Sequence, residues 1–168
     1  ILHSGGEAGD VAKSIALAVQ TRSSTTNCSM HPMQHFTSWA AKYALVDRST
    51  PLVCVFVVET GDNEQPPEEA ALCVRYFNQR SHPDDLLAGR LTYAVLGLGD
   101  STLISPRTRA QPTRARDCNQ VAQRLDARLC ALGAVRCHAC GMVDKRAGYE
   151  QSTLDWIFSL VDHTLYRD

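Results

Sequence analysis

"LTYAVLGLG", Leu91–Gly99, is the stretch on which the fold turns. Its apolar residues run almost unbroken, without the alternation of a strand that keeps one face wet. A run of this kind reads as a strand buried on both faces, and such strands belong to parallel sheets covered by helices. "PLVCVFVV", residues 51–58, is a second β-rich apolar run of the same sort. Between them, "PPEEAALCVRYFNQR", residues 66–80, opens with prolines and sets Glu68 and Glu69 at the positive end of a helix. Leu72, Tyr76 and Phe77 are expected to face inward from it.

Farther out, the alternation continues. Downstream, Val121, Leu125, Leu129 and Leu132 form a helix stripe within residues 118–132, stopped by Gly133. "AVRCHAC", residues 134–140, reads as a strand, and Leu154, Ile157, Phe158, Val161 and Leu165 build a last helix. Upstream, a short strand end precedes a helix at residues 11–20 that carries Val11, Ile15, Ala18 and Val19 on one face. "CSMHPMQHF", residues 28–36, reads as a weak strand that Pro32 confines to a sheet edge, and "WAAKY" after it adds a helical turn. The order β-α-β-β-α-β-α-β-α predicts a three-layer α/β/α sandwich on a five-stranded parallel sheet. With the second strand at an edge, the strand order is 2-1-3-4-5.

Composition narrows the class. The chain has 168 residues, 44% hydrophobic and 21% charged, with a net charge of −1. This predicts one soluble domain over residues 1–168, with no nucleic-acid or anionic-membrane footprint and no membrane span. The first residue is not Met and the first strand is already under way, so a fragment of a longer chain is expected. Seven scattered cysteines, an odd number, point to a reduced, cytoplasmic protein.

Ligands in such sheets sit at the carboxyl ends of the strands. Three loops reach that edge: residues 4–10, 59–66, and 99 onward. The first, "SGGEAGD", is glycine-rich and opens a helix, the layout of an anion-binding turn. Its side chains are the wrong kind for an anion. A carboxylate about 6 Å from a phosphate charge costs roughly 2–3 kcal/mol at an effective dielectric near 20, and Glu7 and Asp10 could both come that close. Asp10 could also cap its own helix.

Other motifs carry less. Cys137 and Cys140 form a Cys-x-x-Cys, but on a strand they point to opposite faces, and Cys140 at the strand's end would border the ligand edge. His31 and His35 on a strand share a face at about 13 Å. Ser4 and Ser101 lack the Gly-x-Ser-x-Gly elbow of a nucleophile. Trp39 and Trp156 read as core, and Asp144 as part of a surface turn with Lys145. "PRTRAQPTRARD", residues 106–117, reads as a basic insertion whose Arg107, Arg109, Arg114 and Arg116 could dock an acidic partner.

"LLAGRLTYAVLGLGDS" (86–101), with "VFVVET…PPEEA" before it and "LDARLCALGA" (125–134) after it, resembles the flavodoxin-like, FMN-binding domain of diflavin reductases of the methionine synthase reductase type. The resemblance covers nearly the whole chain. It implies FMN as cofactor, an NADPH/FAD reductase portion as electron donor and a protein as electron acceptor. Carried over residue by residue, it places the phosphate on Ser4, Gly5, Gly6, Glu7, Ala8 and Gly9. The ring falls to Thr60, Gly61, Gly97, Leu98, Gly99, Asp100 and Leu103. The chain departs from the family pattern in each loop. Gly6 and Ala8 stand where hydroxyls belong, and Asp10 replaces a Thr. Asp62 and Glu64 replace glycines, Leu103 replaces a stacking aromatic, and Lys145 replaces the second of two acids. The function expected is electron transfer through FMN. A flavin-free structural or docking domain is the alternative, and a hydrolase or thiol enzyme is a weaker third.

Overall fold

The two apolar runs lie side by side at the centre of the sheet. β3 (Leu52–Glu59) and β4 (Leu91–Gly99) pair in parallel from Leu52 opposite Leu91 to Glu59 opposite Leu98. The structure is a computed structural model and describes residues 1–39, 52–104 and 115–165. β1 (Leu2–His3) lies on the other side of β3, with Leu2 opposite Phe56. β2 (His31–Pro32) pairs with β1 and forms the edge, where a residue without an N–H is tolerated. β5 (Val135–Arg136) and β6 (Gly141–Asp144) both pair with β4. The order is β2-β1-β3-β4-β5, parallel throughout, as the sequence reading required.

The period of two in the central strands sorts the core into two halves. Cys54, Phe56, Val58, Tyr93 and Val95 face one side. There they pack with α2 (Phe36–Trp39), α3 (Glu68–Phe77) and α4 (Gln120–Ala131). Val55, Val57, Ala94, Leu96 and Leu98 face the other, against α1 (Gly6–Arg22) and α5 (Tyr149–Leu165). Gly133, at φ +85°, ends α4 in the left-handed conformation that glycine adopts without a Cβ penalty. Val121, Leu125, Leu129 and Leu132 are all buried as the stripe requires.

Four expectations need correction. Leu72 is exposed; α3 turns Ala70, Cys73, Val74 and Phe77 inward instead. The last strand is not continuous through 134–140. Pairing runs on to Cys137, whose amide donates to Tyr93 at 2.8 Å, and then breaks until Gly141. Trp156 sets the break: its indole donates to the Ala139 carbonyl at 3.0 Å, and a Cβ on Gly141 would meet the indole at 2.6 Å. His35 is not on the strand, because a 3-10 turn over Met33–His35 follows Pro32 at once. Asp10 does not cap α1: Gly5 is the N-cap, and Asp10, a turn later, pairs with Lys13 at 2.8 Å. That hydrogen bond holds the Asp10 carboxyl below its usual range.

Trp39 is core, as expected, and Trp156 is half-buried. Most of the basic insertion, with Arg107, Arg109 and Arg114, lies outside the described residues, as do residues 40–43 of "WAAKY" and the side chain of Leu165.

Candidate functional site

The carboxyl ends of β1, β3, β4 and β6 open along one edge of the sheet. The turn after β3 and the turn after β4 face each other across a cleft of about 280 Å³. Thr60, Gly61, Asn63 and Glu64 line one side and Asp100, Leu103 and Ile104 the other, with Asp117 and Cys118 completing it.

Each wall is tied down by its own residues. Asp100 accepts from the Thr102 amide at 2.8 Å and from its hydroxyl at 2.5 Å, closing the Ser101–Leu103 turn. The Thr102 hydrogen bonds hold the Asp100 carboxyl below its ordinary range. Asp144 is buried rather than part of a surface turn; it accepts from the amides of Ser101 (3.2 Å) and Arg146 (3.0 Å). Thr60 has the parity of Phe56 and Val58, so its hydroxyl turns toward α4 and accepts from the Val121 amide at 3.3 Å. The Gly61 amide donates to Gln65 at 2.9 Å. Gly97 and Leu98 lie within the strand, and the Leu98 side chain is in the core against α1 and α5.

At the start of α1 a carboxylate from β3 meets the helix. Glu59 shares the parity of Val55 and Val57, so it reaches past the core over the start of α1. Its Oε1 accepts from the Ala8 amide at 3.2 Å, and its Oε2 accepts from Lys145 Nζ at 3.2 Å. Lys145 also binds Glu7 at 2.9 Å. Burial alone would lower the Lys145 pKa, but the Glu7 hydrogen bond and the Glu59 charge outweigh it and leave it raised. Ser4 is buried, and its hydroxyl accepts from the Glu59 amide at 3.0 Å, fixing the strand end. Gly5 donates to His3 Nδ1 at 3.3 Å, and Gly9 donates back to the Gly5 carbonyl at 3.0 Å. A Cβ on Gly6 would lie 3.2 Å from Glu59 Oε1, so the glycine leaves room for the carboxylate.

Neither Glu59 nor the bridging role of Lys145 was singled out from sequence. The signal existed: alternation along β3 assigns Glu59 to the α1 side of the sheet. Cys140 departs from expectation too. It precedes β6, at the amino end of that strand, and burial pushes its thiol up to about 12. Among the described residues no cluster of His, Cys, Asp and Glu could hold a metal ion, and no helix is long and apolar enough to cross a membrane.

The strand order reverses at β1, and the turns after β3 and β4 face each other across one cleft at the carboxyl edge of the sheet. Residues 4–156 match the flavodoxin family model. The chain belongs to the flavodoxin family. It is 34% identical to bovine (Bos taurus) methionine synthase reductase over 149 residues, 89% of this chain and 19% of that protein. It is 33% identical to the mouse (Mus musculus) protein over 126 residues, 75% of this chain and 16% of that one. The chain thus spans about a fifth of the length of these relatives. Among solved structures, oxidised flavodoxin 1 from Bacillus cereus superposes with a TM-score of 0.60 at 12% identity, covering 99% of this chain and 97% of that one. A short-chain flavodoxin associated with a non-canonical PDU bacterial microcompartment gives 0.64 at 14% identity, covering 98% and 93%.

The family points to FMN, and the residues here fit it unevenly. Where the resemblance places the ring there is a cleft between two turns, with Leu103 in the position the family pattern gives an aromatic and Glu64, Asp100 and Asp117 along the walls. Where the resemblance places the phosphate, the amide of Ala8 is already engaged by the Glu59 carboxylate.

Proposed function

We propose that this chain is the flavodoxin module of a methionine synthase reductase-type protein, and that it works in electron transfer. The flavin ring is assigned to the cleft between residues 60–64 and 100–104. An NADPH/FAD reductase portion is the electron source and a protein the acceptor, in the cytoplasm. One observation carries this: the "GLGDS" turn at 97–101 is closed by its own Asp100 and faces the Thr60–Gly61 turn across a cleft at the carboxyl edge of the sheet. The seven cysteines are scattered and odd in number, in keeping with a reducing compartment.

FMN, when bound, supplies the redox chemistry. The chain supplies no acid, base or nucleophile. Its turns position the ring, and its carboxylates set the local charge.

A second reading, a flavin-free docking domain, is favoured by Glu59 on the Ala8 amide. The visible spectrum of the purified chain, followed by titration with FMN, separates the two. Flavin absorption, or fluorescence quenching with Kd in the micromolar range (about −8 kcal/mol), is the expected outcome. A colourless protein that binds neither FMN nor riboflavin leaves the docking domain.

A further inference from the structure

We infer that Glu59 is an internal stand-in for the ligand's phosphate, and that it makes the site discriminate against phosphorylated flavin. The inference rests on reading the cleft as a flavin site.

The observations come from four elements. The carboxylate arrives from the end of β3 and accepts from the Ala8 amide on the first turn of α1. The turn after β6 supplies Lys145, which bridges Glu59 to Glu7. From α3, Glu69 approaches the same loop: a Cβ on Gly5 would lie 3.5 Å from its Cγ. The strand end beneath Glu59 is held by the buried Ser4 hydroxyl. The Glu59 side chain is only 23% exposed, so it is seated rather than waving in solvent.

The chemistry follows from charge and geometry. Backbone amides at a helix start favour one anion, and a carboxylate and a phosphate compete for them. The protein's own carboxylate needs no association from solution, so it has the entropic advantage. A phosphate arriving there must displace Glu59 and then lie beside it and Glu7, with Lys145 shared among three anions. A flavin without a phosphate meets none of this, because the ring cleft is lined by different residues.

The test uses the purified chain and two probes, FMN and riboflavin, with binding read by fluorescence quenching and calorimetry. Two variants are compared with the natural chain. Glu59→Gln keeps the acceptor for the Ala8 amide and loses the charge; Glu59→Ser also vacates the space. In the natural chain riboflavin is expected to bind at least as tightly as FMN. In Glu59→Ser the FMN affinity is expected to rise about tenfold or more, the size of one close charge repulsion. Glu59→Gln should fall between, with riboflavin nearly unchanged in both. FMN affinity indifferent to both substitutions, or a gain shared equally by riboflavin, overturns the inference and leaves the flavin reading standing. Failure of all three proteins to bind either probe overturns both.

Discussion

Glu64 carries a backbone that its side chain opposes. It sits at φ +59°, next to Asn63 at φ +56°, in the turn where the diflavin pattern has glycines. Asn tolerates left-handed backbone, whereas a residue such as Glu pays roughly 1–2 kcal/mol for it. The turn holds that geometry through its neighbours: Gln65 donates to Asp62 at 3.2 Å, Gly61 to Gln65 at 2.9 Å, and the Arg124 guanidinium to the Glu64 carbonyl. Glu64→Gly is therefore expected to stabilise the chain by about 0.5–1 kcal/mol, net of glycine's extra freedom when unfolded. The midpoint of urea unfolding checks it; an unchanged or lower midpoint shows the turn is not strained. From sequence, Asp62 and Glu64 stand where the family pattern has glycines; of the two, only Glu64 takes a positive φ. The backbone keeps a left-handed turn, held by its own hydrogen bonds and by Arg124 from α4. Likewise Leu103 was legible as a missing aromatic, since that loss is a matter of residue type alone.

Helix α4 lies so close to β4 that the strand cannot carry side chains there. A Cβ on Gly97 would come within 2.5 Å of both Ala122 Cβ and Asn119 Oδ1. A Cβ on Gly99 would strike the Cys118 carbonyl. The "GLGLG"-like end of the central strand is thus a packing surface as well as a rim of the cleft. Gly97→Ala is expected to push α4 outward and to cost about 1–3 kcal/mol, the range for overpacking a tight interior. A lowered thermal midpoint with the far-ultraviolet spectrum retained would show it. Helices α1, α3, α4 and α5 and the two central strands were legible because a repeat of 3.6 or a continuous apolar run is written into adjacent residues. The split between β5 and β6 was not. It depends on Trp156, which reaches back to Ala139 from a helix that starts later in the chain. Leu72 was misassigned because a stripe fixes a helix face only to within a residue or so, and the neighbouring layer decides the rest.

Over the whole molecule, two partly buried histidines tie stability to pH. His3 is lowered below its ordinary 6.5 chiefly by burial, with the amino terminus, Lys13 and His31 adding to it. His138 is lowered by burial and then by His163. Unfolding lets both take up protons more readily, so the unfolded state binds more protons just below pH 6.5. Stability is therefore full above that value and is lost as the pH falls through the lowered folded values. Urea midpoints measured from pH 8 to pH 5 are expected to decline below about 6.5; a flat profile would show that neither histidine is coupled to folding. The neutral form of His3 is also the one that can accept from the Gly5 amide, so the same pH range loosens the first turn of the site. The sequence by itself determined the layers, the strand order and the edge where loops meet, since those follow from periodicity, Pro32 and the preference of buried strands for parallel pairing. Only the tertiary structure decided what the Glu59 carboxylate meets. Its amide partner is 51 positions away and its lysine 86, and a hydrogen bond across such separations leaves no local pattern in either stretch of chain.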